Sequence, residues 1–182
     1  MIDVLCSGGI DSFIHLHWAL RKFGRDRLRP VYFRAGQRCA DREIAAARKL
    51  CARVDLPLDI IELQYMEQDP VTGHVPFRNL TFLLAVARRM DSEGVVFGTL
   101  LGEISEDKNP KFVRQVQKIV DGQLVSTIYA PGRNFKIYTP YAHASKTQML
   151  RGFLKDICAD MREGGDYRQQ CFFRYLRFSR VL

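Results

Sequence analysis

Ile2-Asp3-Val4-Leu5-Cys6, followed by Ser7-Gly8-Gly9-Ile10-Asp11-Ser12, is the stretch that decides the fold. The first five residues form a short apolar run that ends at glycines, the pattern of a buried strand. From about Asp11 to Phe23 a helical pattern follows, with Ile10, Phe13, Ile14 and Trp18 among its core candidates. Between them, two glycines let the backbone approach a charged group without interference from a Cβ. Their N–H groups and the helix start behind them make an anion site, and Ser7 and Ser12 add hydroxyl donors at its rim. Asp11 is the odd member, because a carboxylate beside a phosphate makes sense if it holds Mg²⁺. The G-x-x-x-x-G-K-[ST] pattern of the Walker loop is absent, which disfavours a simple P-loop NTPase.

Outward from this stretch, strands and helices alternate. Strands are expected at Arg29 to Phe33, Leu58 to Leu63 and Val95 to Gly98. Helices are expected from near Asp41, read as an N-cap, from the apolar run after Asn79, and from Pro110. Asp121-Gly122 reads as a hairpin-type turn, with Leu124 to Tyr129 and Phe135 to Thr139 as two short strands around Pro131-Gly132. Ser145-Lys146-Thr147-Gln148 has the form of a capping box opening a helix to about Leu154. The alternation predicts an α/β, Rossmann-like fold: a mostly parallel sheet with helices on both faces. No repeat or flexible linker divides residues 1–182, which read as one domain with a C-terminal helical segment over 155–182.

Composition narrows the class. The chain has 182 residues, 47% hydrophobic and 26% charged, and a formal charge of +8 that suits a protein binding polyanions. No run of about 18 apolar residues is present, and the N-terminus lacks the pattern of a signal peptide, so the expected setting is the cytoplasm. The five cysteines form no C-x-x-C pair and read as free thiols.

Ser-Gly-Gly-Ile-Asp-Ser after an N-terminal strand resembles the PP-loop of the N-type ATP pyrophosphatases. Within that superfamily the chain looks most like the 7-cyano-7-deazaguanine synthase family. Further stretches match in order: Gly36-Gln37-Arg38, Val75-Pro76-x-Arg78-Asn79, Gly98 with Glu106-Asp107, and Ser145-Lys146. The resemblance covers residues 1 to about 155.

It implies an ATP-dependent ligase that adenylates a carboxylate such as that of carboxy-deazaguanine, with release of pyrophosphate, for amide or nitrile formation. It also implies a site. Ser7, Gly8, Gly9, Asp11 and Ser12 would hold the pyrophosphate, with Mg²⁺ at Asp11. Phe33 and Gly98 would contact adenine and ribose, and Ser145 and Lys146 the phosphates. Gln37, Arg78, Asn79, Glu106 and Asp107 would form the substrate pocket, and Asp11, Ser12 and Lys146 would carry the catalysis. The alternatives are tRNA modification by the same adenylation logic, or a nucleotide-binding subunit without turnover.

Two departures qualify the resemblance. The family carries a four-cysteine zinc site near the C-terminus, whereas only Cys158 and Cys171 stand in that region here. Two cysteines cannot fill a tetrahedral zinc site, so no zinc is expected. The family segment rich in Tyr, Gly and Asp after Glu106-Asp107 is also missing. Cys171, Tyr175, Phe178 and Leu182 follow one helical face and Arg174, Arg177 and Arg180 the other. Such a helix can pack on its own domain, or meet tRNA or a partner protein. A homodimer is a further possibility. His15 and His17 read as packing or surface residues.

Overall fold

A computed structural model describes residues 1–64, 66–103, 105–126 and 134–162. Five parallel strands form one sheet in the order β3-β2-β1-β4-β5. They are β1 (Ile2–Leu5), β2 (Leu28–Arg34), β3 (Asp59–Glu62), β4 (Gly94–Val96) and β5 (Lys136–Tyr138). The helices are α1 (Ile10–Phe23), α2 (Ala40–Ala52), α3 (Arg78–Ala87), α4 (Pro110–Ser126) and α5 (Lys146–Arg162). The expected α/β Rossmann-like architecture is therefore the observed one.

Two apolar layers clamp the sheet. On one face Phe13, Leu16 and Leu20 of α1, Ala47 and Leu50 of α2, and Met149, Phe153 and Ile157 of α5 pack on Ile2 and Val4. On the other, Leu83 and Val86 of α3 and Val113, Val116 and Val120 of α4 cover Val31, Val95 and Ile137. Strands covered on both faces read as continuous apolar runs, and Asp3 is the exception inside β1. Fully buried, it is gripped by the Arg29 guanidinium at 2.6 and 3.0 Å, which reaches on to Asp91 at 2.6 Å. A buried carboxylate is tolerated when it is paired in this bidentate way.

The hairpin expected around Pro131-Gly132 is not formed as drawn. Asp121 and Gly122 lie inside α4, which continues to Ser126, and residues 127–133 are outside the described set. Val113, Val116 and Val120 keep the helical period through this region, and a Cβ at Gly122 would meet nothing, so the glycine has room to stay helical. Phe135 to Thr139 contributes β5, which pairs parallel to β4 rather than antiparallel to a neighbour in sequence.

At α2 the cap differs as well. Cys39 is the N-cap and Asp41 sits in the first turn, where its charge favours the helix dipole. Pro110 opens α4 as expected, behind Asn109, whose Oδ1 accepts the Phe112 N–H at 2.8 Å. Ser145 and Gln148 form the capping box, with Gln148 N–H to Ser145 Oγ at 3.3 Å and Ser145 N–H to Gln148 Oε1 at 2.8 Å. The helix runs past Leu154 to Arg162, with Cys158 exposed on it. Cys171 and the basic aromatic face of the expected last helix lie outside the described residues. Among the described residues, no helix is long and apolar enough to cross a membrane.

Candidate functional site

The strand order reverses direction at β1, whose neighbours are β2 and β4. In an open parallel sheet, the crevice beyond the carboxyl ends at such a point is where ligands sit. A cleft of about 340 Å³ occupies that position. Of the residues expected at the site, Ser7, Asp11, Ser12, Phe33, Gln37, Arg78, Asn79 and Gly98 line it.

The loop between β1 and α1 is tied internally. The Ser7 N–H donates to Ser12 Oγ at 3.0 Å, and the two hydroxyl oxygens are 3.0 Å apart. Gly9 caps α1 without any side-chain hydrogen bond, so the first-turn N–H groups are left for a ligand. The two glycines serve different ends. Gly8 has φ +80°, and a Cβ there would lie 2.6 Å from the Ala47 nitrogen and 2.7 Å from the Ala46 Cβ. It is required because the loop rests on α2. A Cβ on Gly9 would meet only Ser7 Oγ, at 3.9 Å, so Gly9 faces open space where an anion can approach.

Lys146 does not line the cleft but reaches its edge from the start of α5. Its Nζ lies 3.2 Å from Asp11 Oδ1 and 3.3 Å from Oδ2. Ser145 is occupied as the helix cap.

The residues expected on the substrate side divide into two kinds. Arg78 lines the cleft and brings a positive charge to it. Gln37 has its amide fully committed. Its Oε1 accepts the Ala35 N–H at 2.6 Å, while its Nε2 donates to Tyr32 Oη at 2.7 Å and the Phe33 carbonyl at 2.8 Å. Tyr32 in turn donates to Glu43 at 2.8 Å, and burial together with that carboxylate pushes its hydroxyl pKa upward, so it stays protonated. Gln37 therefore braces the turn after β2. Asn79 is buried and donates to Asp107 Oδ2 at 2.8 Å, and the Ser105 hydroxyl holds the other oxygen of Asp107. Asp107 thus orients Asn79 from behind the cleft wall, and Glu106 is exposed beside it.

Several lining residues were not expected at the site from sequence, Cys39, Glu43, Glu103 and Lys108 among them, and His15 is the one with the most contacts to the others. His15 is buried and lines the cleft. A carbonyl can only accept, so the ring's Nδ1–H donates to the Asp11 carbonyl at 2.6 Å. Burial lowers its pKa, leaving Nε2 an unprotonated acceptor with no partner. The ring packs edge-on against Tyr141 at 5.3 Å and lies 3.4 Å from where a Gly98 Cβ would sit. His15 thus touches three segments of the site at once. Its one sequence signal was the i, i+4 spacing from Asp11, which puts both on one helix face.

The chain was compared with known proteins. The family described as queuosine biosynthesis protein QueC matches residues 2–71. A 7-cyano-7-deazaguanine synthase of Caulobacter vibrioides is 30% identical over 171 residues, spanning 80% of this chain and 69% of that protein. One from Alteromonas mediterranea is 30% identical over 175 residues, 82% of this chain and 76% of its own length. One from Aliarcobacter butzleri is 27% identical over 179 residues, 83% and 75% respectively. At that identity and coverage, with the PP-loop seated at the switch point of a parallel sheet, the chain belongs to the QueC family of 7-cyano-7-deazaguanine synthases.

Proposed function

We propose that this chain uses ATP to adenylate the carboxylate of a deazaguanine-like substrate, releasing pyrophosphate, and then delivers the activated acyl group to ammonia. The observation that carries this reading is the uncapped start of α1 behind Ser7-Gly8-Gly9, with Asp11 and Lys146 paired at its edge. The names of the relatives supply the substrate class.

In this reading the first-turn N–H groups of α1, Ser7 and Ser12 bind the β- and γ-phosphates, with the helix dipole favouring the negative charge. Asp11 would suit a divalent cation, because its carboxylate stands at the start of α1 with the Lys146 ammonium 3.2 Å from Oδ1 as its ion-pair partner, a contact a phosphate-bound cation could share or displace. Mg²⁺ bound there would neutralise charge on the pyrophosphate as it leaves. Lys146 stands beside the same group and offsets the same charge. Phe33 and Gly98, at the ends of β2 and β4, flank the nucleoside end of the cleft.

The acceptor lies on the α3 side. Arg78 pairs with its carboxylate and Asn79 hydrogen-bonds it, Asn79 being held in one orientation by Asp107. A carboxylate oxygen attacks the α-phosphorus, the bond from that phosphorus to the bridging oxygen breaks, and pyrophosphate leaves with the electron pair. Ammonia then attacks the acyl carbon and AMP departs. Rate enhancement rests on alignment and charge stabilisation, with no covalent enzyme intermediate. The free thiols among the described residues, Cys6, Cys39, Cys51 and Cys158, suit a cytoplasmic setting.

The test is pyrophosphate release from ATP and Mg²⁺ in the presence of carboxy-deazaguanine or bulk tRNA, with Asp11→Ala alongside. Release that requires carboxy-deazaguanine and disappears in the variant supports the reading. Release driven only by tRNA would move the acceptor to nucleic acid. Tight ATP binding without release would make the chain a nucleotide-binding subunit.

A further inference from the structure

Phe77, directly before the cleft-lining Arg78 and Asn79, combines two unfavourable features. Its backbone is left-handed, φ 56° and ψ 15°, and its side chain is 74% exposed. Among the described residues, one other non-glycine has positive φ: Asp55, a residue type that visits this region readily. For a bulky aromatic it is an outlier.

The backbone at this position has an evident task. Phe77 is the N-cap of α3: its carbonyl accepts the Thr81 N–H at 2.9 Å, while the Arg78 N–H turns back to the Val75 carbonyl at 3.3 Å. This sharp turn starts the helix so that Arg78 and Asn79 line the cleft. Glycine would perform the turn with no steric cost. The ring contributes nothing as a cap and, being exposed, little to packing. Val75 and Asn79 on either side are buried, so the segment is anchored and the ring alone stands out. Strain retained without a structural return marks a residue kept for a ligand.

The neighbourhood specifies the ligand. Arg78 follows directly, suited to a carboxylate, and the cleft already holds a stacked aromatic pair, Phe33 on Phe82 at 4.5 Å and 10°. An exposed aromatic beside a carboxylate-binding arginine fits a planar heterocyclic acid. We propose that Phe77 is a specificity-determining residue that stacks on the heterocycle of the acceptor where it projects from the cleft, and takes no part in binding ATP. This rests on the acceptor side assigned above.

Calorimetric binding tests it independently of turnover, using carboxy-deazaguanine and ATP as separate probes for wild type, Phe77→Gly and Phe77→Trp. Phe77→Gly is expected to weaken carboxy-deazaguanine binding about tenfold, in the range of one lost ring stack. Its ATP affinity should be unchanged and its thermal midpoint no lower than wild type. Phe77→Trp should keep the acceptor affinity. Equal acceptor binding by Phe77→Gly, a parallel loss of ATP affinity, a lowered midpoint, or no acceptor binding by wild type would each overturn the proposal. Binding that follows the ring while no pyrophosphate is released would instead refute adenylation and leave the role of Phe77 standing.

Discussion

Lys146 Nζ lies 3.2 Å from Asp11 Oδ1, joining the first turns of α5 and α1 across 135 residues of chain. Both side chains are about half exposed, and exposed ion pairs contribute less than about 1 kcal/mol to stability. Lys146→Ala should therefore leave the thermal midpoint within about 4 °C of wild type. Acceptor-dependent pyrophosphate release should fall about 10²-fold or more, as for loss of one charge-stabilising donor. Turnover that survives the substitution would place the leaving-group charge elsewhere.

The two loop glycines should separate folding from binding. Gly8→Ala forces a Cβ into the Ala46–Ala47 backbone at positive φ, and strain plus overpacking should cost about 2–4 kcal/mol. Gly9→Ala meets no such contact and should unfold at close to the wild-type temperature. It should still lose ATP affinity, because the new methyl occupies the side an anion approaches. Melting curves and ATP titrations on the two variants decide it, and equal destabilisation would overturn the distinction.

Asp107→Ala should behave as a loss of orientation rather than of contact. Asn79 is 4% exposed and would keep its place with one amide donor unpartnered. The expected result is an acceptor KM about tenfold higher, equivalent to about 1.4 kcal/mol, and an unchanged KM for ATP. Steady-state kinetics with each substrate varied in turn provides the check.

The pH dependence of stability should carry the signature of His15. Burial holds its native pKa below the usual 6.5, so the unfolded chain takes up this proton first as pH falls. The neutral ring's contribution is thus intact above about pH 6.5 and declines below it, until the native ring also protonates. His15→Asn keeps a donor near the Asp11 carbonyl but cannot titrate. Thermal midpoints between about pH 7.5 and 5 should fall less steeply in the variant than in wild type, whereas parallel slopes would count against a buried neutral imidazole.

How far such a site can be read from sequence depends on how local its causes are. The β1-loop-α1 unit was legible because an apolar run, two glycines and a helical period lie within a few residues of one another. Asp121-Gly122 misled for the converse reason: the turn letters are local, but the valines of α4 packing on the sheet outweigh them. The bracing role of Gln37 was not legible, because its bonds to Tyr32, Phe33 and Ala35 exist only once β2 has turned back on itself. Nor could any spacing have announced the meeting of Lys146 with Asp11, since it depends on α5 returning to the face that carries α1.

The central position of β1 has a consequence for how the molecule assembles. This strand is made first, yet it pairs with β4, whose first residue is Gly94, and the loop it carries meets Lys146 later still. Contacts this distant in sequence slow folding, because a long stretch of chain must be closed before they form. The half comprising β1, β2 and β3 can associate early through near-neighbour crossovers, but the Ser7–Ser12 loop gains Phe97 and Gly98 as cleft partners only when β4 docks. ATP affinity should then appear late during refolding, in step with the slowest phase, making nucleotide binding a reporter of completed topology.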